Sequence, residues 1–483
     1  MLTYDKLFIG GRWTEPAGPD VFEVRSPHDR APVGTVPEAT SADMDRAVAA
    51  ARAAFDHGPW PLTDPAERQR IVARFNELHA ARADEIAELI TAENGTTISF
   101  TRMLQGTLAA RTQDFIDAAA AFDWESDWES TLPDSGGHRT VVRRAPVGVV
   151  VAVIPWNAPH QSALSKMIPA LLAGCPVILK TSPETALDGM VLAEIFAEAG
   201  FPEGVVSVLP AEREVSEYLV SHPGVDKITF TGSTRAGATI ASIAGRQFKR
   251  LSMELGGKSA AIILADADLD TVVPALKWYS LANNGEACVG HTRVLAPRAR
   301  YDEIVAAMAA MMADLPVGDP ADPATYIGPL SKAAQQERVH SYIDTGIAEG
   351  ARLVLGGPGV PEVPGGEKGY YVRPTLFADV DNGMRIAQEE IFGPVVVVIP
   401  FDDEADAIRI ANDSEYGLSG GVWTADPEHG LAVARQLRTG TVHVNGAPRA
   451  ATAPFGGFKS SGVGRENGPV GLAHYTEYQS ISL

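Results

Sequence analysis

Residues 147–160 read Val147-Gly148-Val149-Val150-Val151-Ala152-Val153-Ile154-Pro155-Trp156-Asn157-Ala158-Pro159-His160. A strand with one wet face alternates apolar and polar residues, because successive side chains point to opposite faces. This run does not alternate, so it predicts a strand buried on both faces, as in a parallel sheet covered by helices. Three further runs share the texture: CPVILK (175–180), GVVSVLP (204–210) and DKITFTG (226–232). Helical stretches such as TALDGMVLAEIFAEAG lie between them, and strands alternating with helices predict an α/β fold. The pattern returns after residue 259 in SAAIILADAD, GPVVVVIPF and GTVHVNG. Two α/β units in series are therefore expected, the second beginning shortly after Glu254.

Upstream, short β-type runs occupy Lys6 to Trp13 and Val21 to Arg25. Thr40-Ser41-Ala42-Asp43 has the form of a capping box. It opens a helix whose apolar side recurs at Met44, Val48, Ala51 and Phe55. ERQRIVARFNELHAARADEIAELITAENG predicts more helix, stopped by Gly95. Residues 123–146 are polar at first, then strand-like. The tail from Ala473 to Leu483 alternates as a strand with no evident local partner, which hints at pairing between chains.

At 483 residues the chain exceeds one ordinary core, and about two to four domains are expected at roughly 100–200 residues each. Its 45% hydrophobic and 21% charged residues are those of a soluble globular protein. No apolar run reaches membrane-spanning length, and the first residues lack the layout of a signal peptide. Two cysteines make no disulfide framework, which points to a reducing, cytoplasmic setting. A formal net charge of −21 argues against nucleic acid as a partner. No CxxC pair or HExxH motif offers a metal site.

Four stretches carry chemistry. FTGSTRAG (230–237) joins a predicted strand to a predicted helix, where free N–H groups attract phosphate; it also fits an ordinary turn capped by Ser233 or Thr234. MELGGKS (253–259) sets Glu254 among apolar residues, where desolvation raises a carboxylate toward general-base range; a strand-end ion pair fits equally. Asn157 follows a buried strand, where α/β sheets bind ligands, and its amide suits an oxyanion; a turn in which Asn157 bonds its own backbone is the alternative. Cys288 lies in NNGEACVGHTR (283–293) between Gly285 and Gly290, a setting that favours a cleft. Cys175 leads into a core strand and reads as inert packing.

Asn157 after Pro-Trp, Lys180 after a strand, GSTRAG, ELGG and a Cys in NxGxxC together resemble the NAD(P)-dependent aldehyde dehydrogenase superfamily. EEIFGPV (389–395) and PFGGFKSSGVGRE (454–466) extend the likeness, as does the spacing of 34 residues between Glu254 and Cys288. It covers the chain from about residue 6 onward.

The resemblance implies a Rossmann-like cofactor domain (1–122 and 147–255), an α/β catalytic domain (256–457) and a small β oligomerisation arm (123–146 and 470–483). A homodimer or homotetramer is expected. Cys288 is implied as nucleophile, Asn157 with the Cys288 N–H as oxyanion hole, and Glu254 as the base that activates water. Lys180 is assigned to the adenine ribose and Glu390 to the nicotinamide ribose. Trp156 and Ser233 line the adenosine and pyrophosphate, Phe392 packs near the nicotinamide, and Ile154, Pro155, Ser182, Gly232, Gly237, Leu255 and Gly256 complete the cofactor site. Glu466 supports a proton path to Glu254. Ala158, Ser162, Ser165, Phe455 and Arg449 are expected along the substrate tunnel, with His160 among them.

The chain departs from the family pattern in three places. Pro183 stands where many NAD-preferring members have Glu, with Glu184 one residue on, so NAD use with NADP tolerance is expected. The tunnel positions are small and polar, which suits a bulky aldehyde, and Arg449 is available to a carboxylate. Glu286 replaces a Gln. An ionised carboxylate aimed at Cys288 disfavours its thiolate, so Glu286 is expected to turn away toward a cation or backbone donors. Two other readings compete: a CoA-acylating relative, which generally lacks the Glu of ELGG, and an inactive structural relative, which is expected to lose Cys288 or Asn157.

Overall fold

The computed structural model describes residues 1–129 and 139–483. The decisive strand, Val150–Val153, lies inside an eight-stranded sheet. Across that sheet the order is Gly462–Val463, Arg250–Glu254, Lys227–Thr231, Val150–Val153, Val177–Thr181, Val206–Pro210, Leu7–Ile9 and Arg12–Thr14. The five central strands are parallel and the outer ones antiparallel.

Both faces are buried, and the alternation is complete. Val150, Ala152, Leu179 and Val208 join one apolar layer. Val151, Val153, Ile178, Leu209 and Ile228 join the other. Each such side chain contributes roughly 1.5–3 kcal/mol relative to exposure, so no polar residue fits the run. From Val150–Val153 the chain winds outward through Val177–Thr181 and Val206–Pro210. It then crosses back to lay Lys227–Thr231 on the opposite side. The order reverses between Val150–Val153 and Lys227–Thr231, and such a reversal opens a crevice at the carboxyl ends of the strands.

The second sheet has seven strands: Arg352–Leu355, Thr375–Ala378, Val395–Phe401, Arg293–Pro297, Ala260–Ile263, Gly420–Trp423 and His443–Val444. All its pairings are parallel except that of Arg352–Leu355. Sheet membership changes between Glu254 and Ala260 and reverts at Gly462.

Three local expectations change. The continuous helix over 67–95 is two helices, Pro65–Ala81 and Ala83–Asn94, broken at Arg82 (φ −108°, ψ 12°). Arg82 leaves the helical region where its guanidinium bridges Glu85 and Glu194. The polar stretch after residue 123 contains a strand, Glu125–Glu129. The tail does find a partner in its own chain: Thr476–Ser482 pairs antiparallel with Arg139–Pro146, which pairs in turn with Glu125–Glu129. Residues 130–138 of the expected arm lie outside the described residues. The capping box at Thr40 and Asp43 and the left-handed Gly95 stop form as expected.

Candidate active site

The crevice at the order reversal gathers most of the expected cofactor residues. Ile154 donates its N–H to the Lys180 carbonyl (3.2 Å), tying the two strand ends together. Trp156 meets Phe392 edge to face at 5.6 Å, and its carbonyl accepts from Asn94 Nδ2 at 2.9 Å. Gly232 donates to the Glu254 carbonyl at 3.1 Å. Ser233 caps the helix Thr234–Arg246 by accepting from Ala236 N. The capped turn that the sequence offered at Ser233 is thus formed. Gly237 lies so close to Leu255 that a Cβ would come within 2.6 Å of it.

Lys180 is buried, and burial pushes its ammonium down to about 8. Among the described residues its one acceptor is the Ala211 carbonyl at 3.5 Å, which leaves other donors of the ammonium unused there. Glu184 accepts from Ser182 and forms an ion pair with Lys332 at 2.5 Å. Lys332 reaches this spot from the far side of the crevice, its Nζ lying 5.9 Å from the centre of the Trp156 ring. Pro183, in the usual Glu position, only starts a short turn.

Cys288 follows a tight turn with three successive left-handed residues, Asn283 (φ 55°), Asn284 (φ 58°) and Gly285 (φ 75°). At Gly285 a Cβ would stand 2.2 Å from the Gly393 carbonyl oxygen, so the stretch leading to the thiol is pressed onto residues 392–394. Asn157 does not bond its own backbone. Its Nδ2 donates to the Glu286 carbonyl at 2.8 Å, and Asn283 Nδ2 donates to the Asn157 carbonyl at 2.9 Å. The Asn157 amide, which has two N–H donors, is thereby held to the backbone two residues before the thiol.

From the other side comes Glu254-Leu255-Gly256-Gly257. A Cβ on Gly257 would lie 2.4 Å from the Cys288 carbonyl oxygen. Gly257 N donates to Glu390 Oε1 at 2.9 Å, and a Cβ on Gly256 would lie 2.7 Å from Glu390 Oε2. The paired glycines thus let Cys288 and Glu390 close on one backbone segment. Cys288 is half-buried and free. Desolvation, then the Glu390 and Glu254 carboxylates, push its thiol up to about 12. Cys175 is fully buried, donates to the Tyr475 carbonyl and is pushed up to about 11, as inert packing requires.

Burial, then the nearby Glu466 carboxylate, lifts Glu254 well above the ordinary carboxylate range, while Lys166, Arg465 and Arg449 oppose the lift. Glu254 Oε2 is buried without a partner. Glu466 accepts from Lys166 at 2.5 Å, and Lys166 also donates to Thr231. Lys166 is fully buried. Its signal was a lone lysine in the apolar helix sequence SALSKMIPALLA. Asn283 and Lys332 had no such signal, because their partners are distant in sequence.

Glu286 turns away from the thiol. Its Oε1 accepts from Ser331 N at 3.3 Å, and burial holds the carboxyl well above its usual range. Ala158, Ser162 and Ser165 form a half-buried face at the start of the helix Pro159–Ala173. Phe455 is half-buried and pairs with Glu466. His160 does not join this face. It is buried, bonded to His79 (3.0 Å) and the Asp188 carbonyl (3.1 Å), and burial lowers it to about 4. Among the described residues no helix is long and apolar enough to cross a membrane.

A thiol, a desolvated carboxylate and a tethered amide thus meet beside an α/β crevice, as in an oxidoreductase that works through an enzyme-bound acyl group. The profile of the aldehyde dehydrogenase family matches residues 13–481. Geranial dehydrogenase of Castellaniella defragrans is 44% identical over 482 residues, covering 100% of this chain and 99% of that protein. The structure of a Mycobacterium tuberculosis aldehyde dehydrogenase complexed with NAD+ superposes with a TM-score of 0.94 at 49% identity, covering 100% of this chain and 98% of that one. A mutant of aldehyde dehydrogenase C from Pseudomonas syringae, complexed with NAD+ and octanal, gives a TM-score of 0.92 at 39% identity, covering 99% and 96%. The chain belongs to the aldehyde dehydrogenase family, enzymes that oxidise aldehydes.

Proposed function

We propose that the chain oxidises an aldehyde to a carboxylic acid with NAD, through a thioester on Cys288. The observation that carries this reading is the close approach of Glu254-Leu255-Gly256-Gly257 to the Cys288 backbone, with Asn157 tied to the same loop. The crevice suits a dinucleotide: Lys180 has unused donors, the helix behind Ser233 presents free N–H groups, and Gly256 leaves room for Glu390. Lys180, Ser182, Ser233 and Glu390 would hold the cofactor, lined by Ile154, Pro155, Trp156, Gly232, Gly237, Leu255 and Phe392. NAD supplies the hydride acceptor.

Cys288 attacks the aldehyde carbon as its thiolate, and the carbonyl oxygen gains charge. The free Asn157 N–H and the Cys288 backbone N–H receive that charge. Loss of hydride leaves a thioester. Glu254 then takes a proton from water, which attacks the thioester carbon and restores the thiol. Glu466 and Lys166 relay the proton from Glu254.

In this reading residues 1–122 and 147–255 bind the cofactor and 256–457 carry the nucleophile. Residues 123–146 and 470–483 form the arm of a cytoplasmic homodimer or homotetramer. Trp128 and Tyr478, 61% and 71% exposed on the three-stranded sheet, support that assignment. An absorbance assay for NADH across aliphatic, aromatic and carboxylated aldehydes, with and without CoA, tests the function. NADH formation without CoA, lost in Cys288→Ala, is expected. Strict CoA dependence would instead mark an acyl-CoA-forming enzyme.

A further inference from the structure

We propose that Arg111 and Arg449 form an anion-binding pair at the outer end of the substrate tunnel, selecting aldehydes that carry a carboxylate remote from the reacting carbonyl. This rests on the aldehyde-oxidising reading above and adds the charge of the substrate to it.

Arg111 lies on the helix Ile98–Ala120. Phe100, Leu104, Thr107 and Arg111 recur at the three- and four-residue spacing that puts side chains on one helical face. That stripe is distinct from the buried one of Thr101, Gln105, Leu108, Thr112 and Phe115. Phe100 packs against Trp278 at 5.4 Å, and Leu104 lines a cavity with Asn157 and Ala158. Leu104 thus brings this stripe near Asn157, beside Thr101 and Gln105, which line the same cavity.

The loop bearing Arg449 is fixed to the same surroundings from two directions. Tyr279, the neighbour of Trp278, donates to the Gly446 carbonyl at 2.9 Å. Farther along, Gly468 lies so near Thr452 that a Cβ would fall 2.2 Å from its carbonyl oxygen. Gly468 starts the helix Gly468–Ala473, which packs on the Arg111 helix. The Arg449 guanidinium donates to the Ala450 and Ala453 carbonyls and stands 5.4 Å from the centre of the Phe455 ring. The Arg111 helix and the Arg449 loop are thus held close to one another.

Neither guanidinium forms an ion pair among the described residues, although Asp114 acts on Arg111 and Glu254 on Arg449 from farther off. Among the described residues the Arg111 guanidinium has no hydrogen bond and no ion pair; Asp114, one turn on, is the carboxylate that acts on it. Among the described residues Arg449 donates only to neutral carbonyls, and the Glu254 carboxylate acts on it without a hydrogen bond. Burial lowers both groups, and Arg111 adds to the effect on Arg449. Some arginines elsewhere meet carboxylates, as Arg82 meets Glu85 and Arg250 meets Glu477, while the buried Arg68 and Arg293 are held by backbone carbonyls as Arg449 is. A partly desolvated guanidinium without a partner is costly, and a carboxylate between two of them offsets that cost with charge-assisted, bidentate bonds. In a chain of net charge −21, such a local positive field is also what lets an anion approach.

The test compares kcat/KM for straight-chain ω-oxoacids of several lengths with n-alkanals of matching length and with cationic betaine aldehyde. In Arg111→Gln and Arg449→Gln the oxoacid-to-alkanal ratio should fall about tenfold or more, mainly through KM. This corresponds to about 1.4 kcal/mol of lost recognition. Relative use of betaine aldehyde should rise, and Arg111→Lys should retain part of the preference. An unchanged oxoacid-to-alkanal ratio in both variants overturns the pair. A wild-type protein that oxidises no aldehyde overturns the underlying reading as well.

Discussion

Burial raises both Glu254 and Cys288 above their ordinary ranges, and each acts in its deprotonated form. The hydrolytic step should therefore speed up as pH rises through the elevated Glu254 value, since the base works as the carboxylate. Glu254→Gln should slow steady-state turnover on the order of 10²–10⁴-fold yet leave a first burst of NADH in stopped-flow traces. Loss of the burst would mean that Glu254 acts before thioester formation. Glu286 is the contrasting case. Its carboxyl faces Ser331 N, away from the thiol, so Glu286→Gln should leave the pH profile of Cys288 alkylation unchanged. A profile shifted to lower pH in the variant would place the carboxylate in electrostatic contact with the thiol. The two cysteines could be told apart in the sequence because glycines flank one and a core strand follows the other. That Glu286 turns away from the thiol was expected as well, but its partner was not readable, because it is a backbone group 45 residues away.

At the scale of elements, the Val150–Val153 strand was legible because burial on two faces leaves only one kind of residue acceptable. The turn at Gly232 and Ser233 was legible as a helix start, because a serine at that position caps the first free N–H groups. The break at Arg82 was not, since Ala-Arg-Ala-Asp holds no glycine or proline and the cause is Glu194 on another helix. His160 misled because helical spacing alone does not reveal a histidine partner 81 residues back. Glu184 and Lys332 meet across the crevice and belong to the same class of distant pairings. With Lys332 balancing Glu184, a phosphate on the adenine ribose meets less repulsion than a free carboxylate would impose. Wild type should therefore show NADP turnover above background. Glu184→Gln should raise the NADP-to-NAD ratio of kcat/KM about fivefold, the effect of roughly 1 kcal/mol from one removed charge. A ratio at background level in both proteins would remove NADP from the account.

Over the whole molecule, the sheets interleave segments far apart in the chain. Alternating strands and helices exposed the two α/β units to sequence reading. The closing strands were less visible, because a seven-residue tail does not name its partner. Removing residues 474–483 should leave Arg139–Pro146 without one neighbour, lower the melting temperature and shift the sedimentation coefficient toward the monomer. An unchanged coefficient would show that the arm does not hold subunits together. The pairing of Lys166 with Glu466 spans 300 residues, and this has a consequence during translation. Ribosomes deliver the N-terminal part first, so a nascent chain stopped before Gly462 already carries Asn157, Glu254 and Cys288. It still lacks the edge strand beside Glu254 and leaves the Lys166 ammonium without its carboxylate. Prematurely terminated products would thus hold Asn157, Glu254 and Cys288 without the Glu466 end of the proton path, and the last 22 codons complete the proposed site.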